Sequence, residues 1–226
     1  VLIRDREWRL LAATPDMRFP TAVSDITMGL NAGSTLISTS TYGQCRLHLA
    51  RPDGGVQTIL EQDAWGFARV DNADGLAYLA LEDGRVLWST VSDLLNWREC
   101  IYHKPAGRAE RIEILGEPLR HPRTGAMLFP TRDAQRGAIG IYQPRLADGE
   151  VVLEQVAWQE GAGDWAVKLA EVDGQVFVGS GLRTGDPEDL TPGVIYRLEL
   201  EPMTAGAPTE VGPVSPWIIK WLPCCR

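Results

Sequence analysis

The sequence predicts an all-β chain assembled from repeated four-stranded antiparallel units, and three observations carry that prediction. Glycine-bearing turns recur at regular spacing. Windows of helical periodicity free of Gly and Pro are almost absent, and short β-rich runs follow one another in the same order four times. The chain has 226 residues with 23 Gly and 15 Pro, which suits a polypeptide broken into many short strands.

Four segments align with one another: ITMGLNAGSTLISTSTYGQCRLHL from Ile26, FARVDNADGLAYLALEDGRVLWST from Phe67, IEILGEPLRHPRTGAMLFPTRDAQRGAIGIYQPR from Ile112, and WAVKLAEVDGQVFVGSGLRTGDPEDLTPGVIYRLEL from Trp165. Each is expected to open on an inner strand near those residues. A turn follows that needs positive φ, supplied by Ala32-Gly33, Asp74-Gly75, Thr124-Gly125 and Asp173-Gly174. The second strands TLISTS, LAYLAL, AMLFPT and QVFVGS carry small or apolar residues on both faces, the pattern of a strand buried between two neighbours. A second glycine turn (Gly43, Gly84, Gly137 to Gly140, Gly193) leads into third strands CRLHL, RVLWS, AIGIY and VIYRLEL. More polar fourth strands follow: VQTILEQ from Val56, NWRECIY from Asn96, VVLEQVAW from Val151 and TEVGPV from Thr209.

Units of four antiparallel strands at intervals of roughly 40 to 55 residues have the spacing of β-propeller blades. A two-sheet sandwich also uses short strands, but it does not account for one strand order repeated four times. A ring must close, because an open one leaves two exposed edges. The C-terminal WIIKWL (Trp217 to Leu222) reads as an inner strand, and the N-terminal VLIRD and WRLLAA read as a third and a fourth. The expectation is a single domain, 1–226, forming a five-bladed propeller closed by both termini. Its blades cover about 22–62, 65–103, 110–158, 164–211, and 214–226 with 1–14. A fragment of a six- or seven-bladed ring is the alternative.

Composition narrows the function. A formal net charge of −8 repels phosphate backbones and anionic lipid, so neither a nucleic acid nor a membrane is expected as partner. No run approaches the ~18 apolar residues that span a bilayer, and the first residues lack the features of a secretory signal, so a soluble chain is expected. Cys45, Cys100, Cys224 and Cys225 match no zinc-ligand spacing and are read as independent thiols. His48, His103 and His121 stand apart from one another. No metal and no cofactor is therefore expected, and His48, between Leu47 and Leu49, is expected at a blade edge. The third unit is locally rich in arginine (Arg108, Arg111, Arg120, Arg123, Arg132, Arg136), but interleaved Glu110, Glu113 and Glu117 mark a self-neutralising face.

The segment LWSTVSDLLNWREC, Leu87 to Cys100, carries Ser92, Asp93, Leu94, Asn96 and Trp97 in an arrangement that resembles the strand and turn of five-bladed glycosidase propellers. More loosely, it is similar to the Asp-box turn of sialidase-like propellers. An Asp that caps its own turn and a Trp that packs beneath the hairpin explain the pattern without catalysis.

Propeller ligands gather where inner strands begin. The residues expected there are Asp25, Trp65, Glu110, Asp164 and Trp217. Carboxylates hold hydroxyls and indoles stack on sugar rings, so these five are the candidate ligand contacts. The leading expectation is a noncatalytic recognition or assembly module that binds a glycan or protein partner through one face. The resemblance implies the alternative, a glycoside hydrolase with Asp25 as base, Glu110 as acid and Asp164 as pKa modulator. The Asp-Pro signature usual around that family's first acid is absent at Val-Ser-Asp25-Ile.

Overall fold

The computed structural model describes residues 2–4, 8–10, 20–41, 43–103, 112–133, 135–160, 167–180 and 194–198, and every regular element among them is a β-strand. Strands β1 (Leu2–Arg4) and β2 (Trp8–Leu10) pair as a hairpin. Sheet I is four-stranded, with β3 (Pro20–Asp25), β4 (Thr35–Thr41), β5 (Gln44–Ala50) and β6 (Val56–Gln62) paired in that order. Sheet II repeats the arrangement with β7 (Gly66–Asp71), β8 (Leu76–Leu81), β9 (Val86–Thr90) and β10 (Arg98–Glu99). Sheet III contains β12 (Leu119–Arg120), β13 (Met127–Asp133), β14 (Ala138–Ala147) and β15 (Glu150–Gln159), and β11 (Ile101–His103) joins its outer edge in parallel with β15. Sheet IV contains β16 (Val167–Val172), β17 (Gln175–Ser180) and β18 (Val194–Leu198). The predicted turn glycines Gly33, Gly75, Gly125 and Gly174 all have positive φ.

The sheets stack face to face, and the second strands show why. Every residue of β8 is buried. Ala77, Leu79 and Leu81 pack toward sheet I with Leu36, Leu47 and Leu49, while Tyr78 and Ala80 pack toward sheet III with Met127 and Phe129. The Tyr78 and Phe129 rings meet edge to face, 5.3 Å between centroids. Leu128, on the opposite face of β13, joins Val176, Val178 and Tyr196 of sheet IV. Each fully buried aliphatic side chain contributes about 1.5–3 kcal/mol of transfer free energy, so these interlayer cores hold the stack together.

Sheets I and II are tied together by hydroxyls of β3 and β4 that meet the inner strand β7. Thr21 Oγ1 donates to the Gly66 carbonyl at 2.6 Å, the Ala68 amide donates to Ser38 Oγ at 3.0 Å, and the Val70 amide donates to Ser24 Oγ at 3.0 Å. These rungs align β3 and β7 side by side in the same direction, Thr21 beside Gly66 and Ser24 beside Val70.

Several expectations are corrected. The first inner strand does not begin at Ile26; it is PTAVSD and ends at Asp25. Ile26 is a buried plug at the mouth of the following loop, bonded to both Gly33 and Ser34. The run NWRECIY is not one strand. Cys100 is buried with its amide on the Val86 carbonyl at 2.7 Å, and beyond it the chain leaves sheet II for sheet III. The inner strand near Ile112 is interrupted: Glu113 makes a single bridge to Arg132, and pairing resumes only at Leu119. Gly116 and Pro118 lie between, one pressed on the Val167 carbonyl and the other lacking an amide hydrogen. His48 is not at an edge. It is fully buried, with Nε2 3.0 Å from the Thr39 hydroxyl and Nδ1 3.0 Å from that of Thr58. The expected strands at Thr209 and Trp217 lie outside the described residues.

Candidate functional site

All four sheets contribute to one cleft of about 450 Å³ at the N-terminal ends of the inner strands. Sheet I supplies Pro20 and Thr21; sheet II supplies Trp65, Phe67 and Glu82; the inner segment of sheet III supplies Ile114 and Leu115; sheet IV supplies Lys168. Trp65 is held by its backbone, since its carbonyl accepts from the Glu82 amide at 2.8 Å, and the residue is 37% exposed. The Glu82 carbonyl in turn accepts from the Ile114 amide at 3.3 Å, so one residue joins sheets II and III at the cleft. Gly66 is required beside Trp65: a Cβ there would lie 2.9 Å from Leu81 and 3.0 Å from the Cys45 sulfur.

Deeper along β7, the alternate residues continue the wall between sheets II and III. Arg69 pairs with Glu117 at 2.8 Å, and the buried Asp71 lies 3.8 Å from Arg120. Arg132 forms a charge pair with Glu113, and Arg136 approaches Asp133 and Glu160 at 4.0 and 3.9 Å. Arg120, Arg132 and Arg136 thus each lie beside a carboxylate; Arg108 and Arg111 lie outside the described residues.

Of the five residues expected at the inner-strand starts, Trp65 lines the cleft. Asp25 does not: it ends β3 rather than starting it, and its carbonyl accepts from Asn72, the residue after β7 ends. Trp65 and Asp25 therefore occupy opposite ends of adjacent parallel inner strands. Asp25 is exposed, and its Oδ1 accepts from the Thr35 hydroxyl at 2.9 Å. Glu110, Asp164 and Trp217 lie outside the described residues.

Phe67, expected as the opening of an inner strand, is not among the ligand contacts expected from the sequence, and neither are Glu82 and Lys168. The antiparallel hairpin β7–β8 was the available signal, because the residue after the second strand must return beside the start of the first. Among the described residues lining the cleft, Glu82 is the one carboxylate and Lys168 the one cation, so this wall offers hydrogen bonds, a charge of each sign and an aromatic surface, but no carboxylate pair. No group of three or more His, Cys, Asp or Glu able to hold a metal occurs among the described residues.

The chain resembles a solved structure of an oligogalacturonate lyase in complex with manganese, a seven-bladed propeller, with a TM-score of 0.51 and 12% identity. The fold is propeller-like. The match covers 84% of this chain and 53% of that one, so the chain spans about half the length of the lyase. A quinonprotein alcohol dehydrogenase-like protein from Bacteroides thetaiotaomicron aligns over 57% of the chain and 31% of its own length, with a TM-score of 0.38 and 10% identity. No protein-family profile matches the sequence, and no curated protein is similar to it.

The propeller-like assignment also clarifies the segment from Leu87 to Cys100. Ser89 Oγ donates within its own turn to the Asp93 and Asn96 carbonyls, Asn96 Nδ2 donates to Asp93 Oδ2 at 2.6 Å, and Trp97 Nε1 donates to the Leu94 carbonyl at 2.8 Å. Trp97 packs on the core shared by sheets I and II. These residues stabilise the turn at the end of the sheets away from Trp65. No described helix is long and apolar enough to cross a membrane.

Proposed function

We propose that the chain is a noncatalytic recognition module that binds a glycan in the Trp65 cleft. The observation that carries this reading is the combination of a half-exposed indole and Phe67 with Glu82 and Lys168 around one concave opening. An aromatic face covers the C–H side of a sugar ring while polar groups at the rim select its hydroxyls. Hydrolysis needs two carboxylates about 5 to 10 Å apart across the scissile bond, and among the described residues lining the cleft Glu82 is the one carboxylate. A glycan array that includes oligogalacturonates, the sugars named for the lyase, tests the reading. Trp65→Ala is expected to lower retention about tenfold on the sugars that bind wild type. An array empty with folded protein overturns it.

We propose further that the sheets are blades of a five-bladed ring closed by both termini. Two observations support this: β1 and β2 are paired as adjacent strands, and the face of sheet I turned away from sheet II is also buried, at Ile37, His48 and Ala50. An experimental structure of the full chain with a different blade count contradicts it.

A further inference from the structure

At the end of the sheets opposite the Trp65 cleft, three loops lock together and present apolar side chains to solvent. Asn31 Nδ2 donates to the Val91 carbonyl at 2.7 Å, joining the loop after β3 to the turn after β9. Gly29 lies against Ser92, and Met28 lies over Gly75 in the β7–β8 turn. On this base Leu30 is 88% exposed, Leu95 67% and Met28 40%. Nothing in the hairpins requires large apolar residues at these positions, and a lone exposed Leu carries no meaning, but three on one interlocked surface form a patch.

The surroundings of the patch are anionic. Asp25, Asp53, Asp74 and Asp93 are all exposed in the same set of loops, and no salt bridge joins any of them to a cation among the described residues. Arg51 is the cation in these loops; it donates to the neutral Gln57 Oε1 at 2.9 Å and keeps its charge, so four carboxylates face one guanidinium and the rim is net anionic. An anionic membrane or a nucleic acid is repelled by such a rim. A polypeptide that alternates basic and apolar side chains matches both features, because its apolar groups cover the leucines while its cations meet the exposed carboxylates.

We infer that this face is a second binding surface, separate from the glycan cleft, and that it docks a basic, leucine-bearing segment of a partner protein. The probe is the short peptide acetyl-KLKLK-amide, titrated into the full isotopically labelled chain and followed by amide chemical shifts, with acetyl-ELELE-amide as its charge mirror. Shifts are expected at 25–33, 72–75 and 91–96, weakening with added salt, and the affinity is expected to drop about tenfold when Leu30→Ser and Leu95→Ser are combined. Both positions are solvent-facing, so the double variant keeps the fold, and its unchanged spectrum elsewhere verifies this. Asp74→Asn is expected to weaken binding and reduce its salt dependence. The inference is overturned if the basic peptide produces no shifts, if shifts centre on the Trp65 cleft, or if the acidic peptide binds equally well.

Discussion

Asn72 reaches from the end of β7 to the end of β3, where its Nδ2 donates to the Asp25 carbonyl at 2.9 Å and its Oδ1 accepts from the Thr27 amide at 2.8 Å. One side-chain amide thereby satisfies a donor and an acceptor on a neighbouring sheet and sets the register of two parallel inner strands. Asn72→Ala removes both bonds at a partly wet site. The expected loss is about 1 kcal/mol, read as a lower urea midpoint at unchanged slope. Asp25→Asn keeps the backbone contact and is expected to leave stability and cleft binding near wild type.

Gly84 makes a more severe demand. Its φ is +91°, and a Cβ would sit 2.0 Å from the Ile112 carbonyl oxygen, a backbone atom that cannot rotate away. Gly84→Ala is expected to cost more than about 2 kcal/mol, by combined strain and overpacking between sheets II and III. Gly43, also at positive φ but with open space around it, is the control: Gly43→Ala is expected to cost less in the same thermal melts.

His121 couples stability to pH. It is buried, and its Nδ1 accepts from the Arg123 and Thr124 amides at 3.3 and 3.2 Å, so a proton on that nitrogen displaces both. Burial, with Arg123 nearby, holds its pKa below the ordinary 6.5. The unfolded chain therefore binds the proton first, and the contribution is present above the unfolded pKa and lost as pH falls through the folded one. Denaturant midpoints at about pH 7.5 and 5.5 are expected to differ more for wild type than for His121→Asn, which has no titrating ring. An identical difference in both proteins contradicts this role.

The thiols of Cys45 and Cys100 are buried and free. Burial pushes the Cys45 thiol up to about 11 and raises that of Cys100 as well, so little thiolate forms at neutral pH. Modification of these two by a disulfide reagent is expected to follow global unfolding, with a rate that rises with urea and becomes fast only past the midpoint. Rapid labelling of either thiol in native buffer refutes the assignment.

The middle strands were legible in the sequence because they are buried on both faces and written in unbroken runs: LAYLAL maps onto β8 without a shift, and the glycine turns fall where positive φ is needed. The inner strand of sheet I was not legible. Its residues PTAVSD are weakly apolar since hydroxyls, not hydrocarbons, join it to β7, and the more apolar Ile26 drew the boundary forward by a whole strand. With that boundary Asp25 reads as the start of the strand, whereas it is the last residue of β3. Trp65, an indole beside a strand start and so conspicuous in the sequence, lines the cleft. Glu82 and Lys168 escaped notice because charged residues at strand ends are common, and only pairing brings them to the same opening.

The parallel strand Ile101–His103 belongs to sheet II by chain and to sheet III by hydrogen bonding. The repeat written in the sequence and the layer built in space are therefore out of phase by one strand at this junction. A copy of residues 65–103 inserted elsewhere would arrive with an outer strand shaped for a different neighbour, one whose Tyr142 ring receives Tyr102 edge-on at 5.1 Å. Duplication, deletion or shuffling at the apparent unit boundary leaves one layer short and another overfilled. The exchangeable module at this point ends at Cys100, where the chain changes layers, and recombination that respects that crossover transfers each layer with the edge it needs.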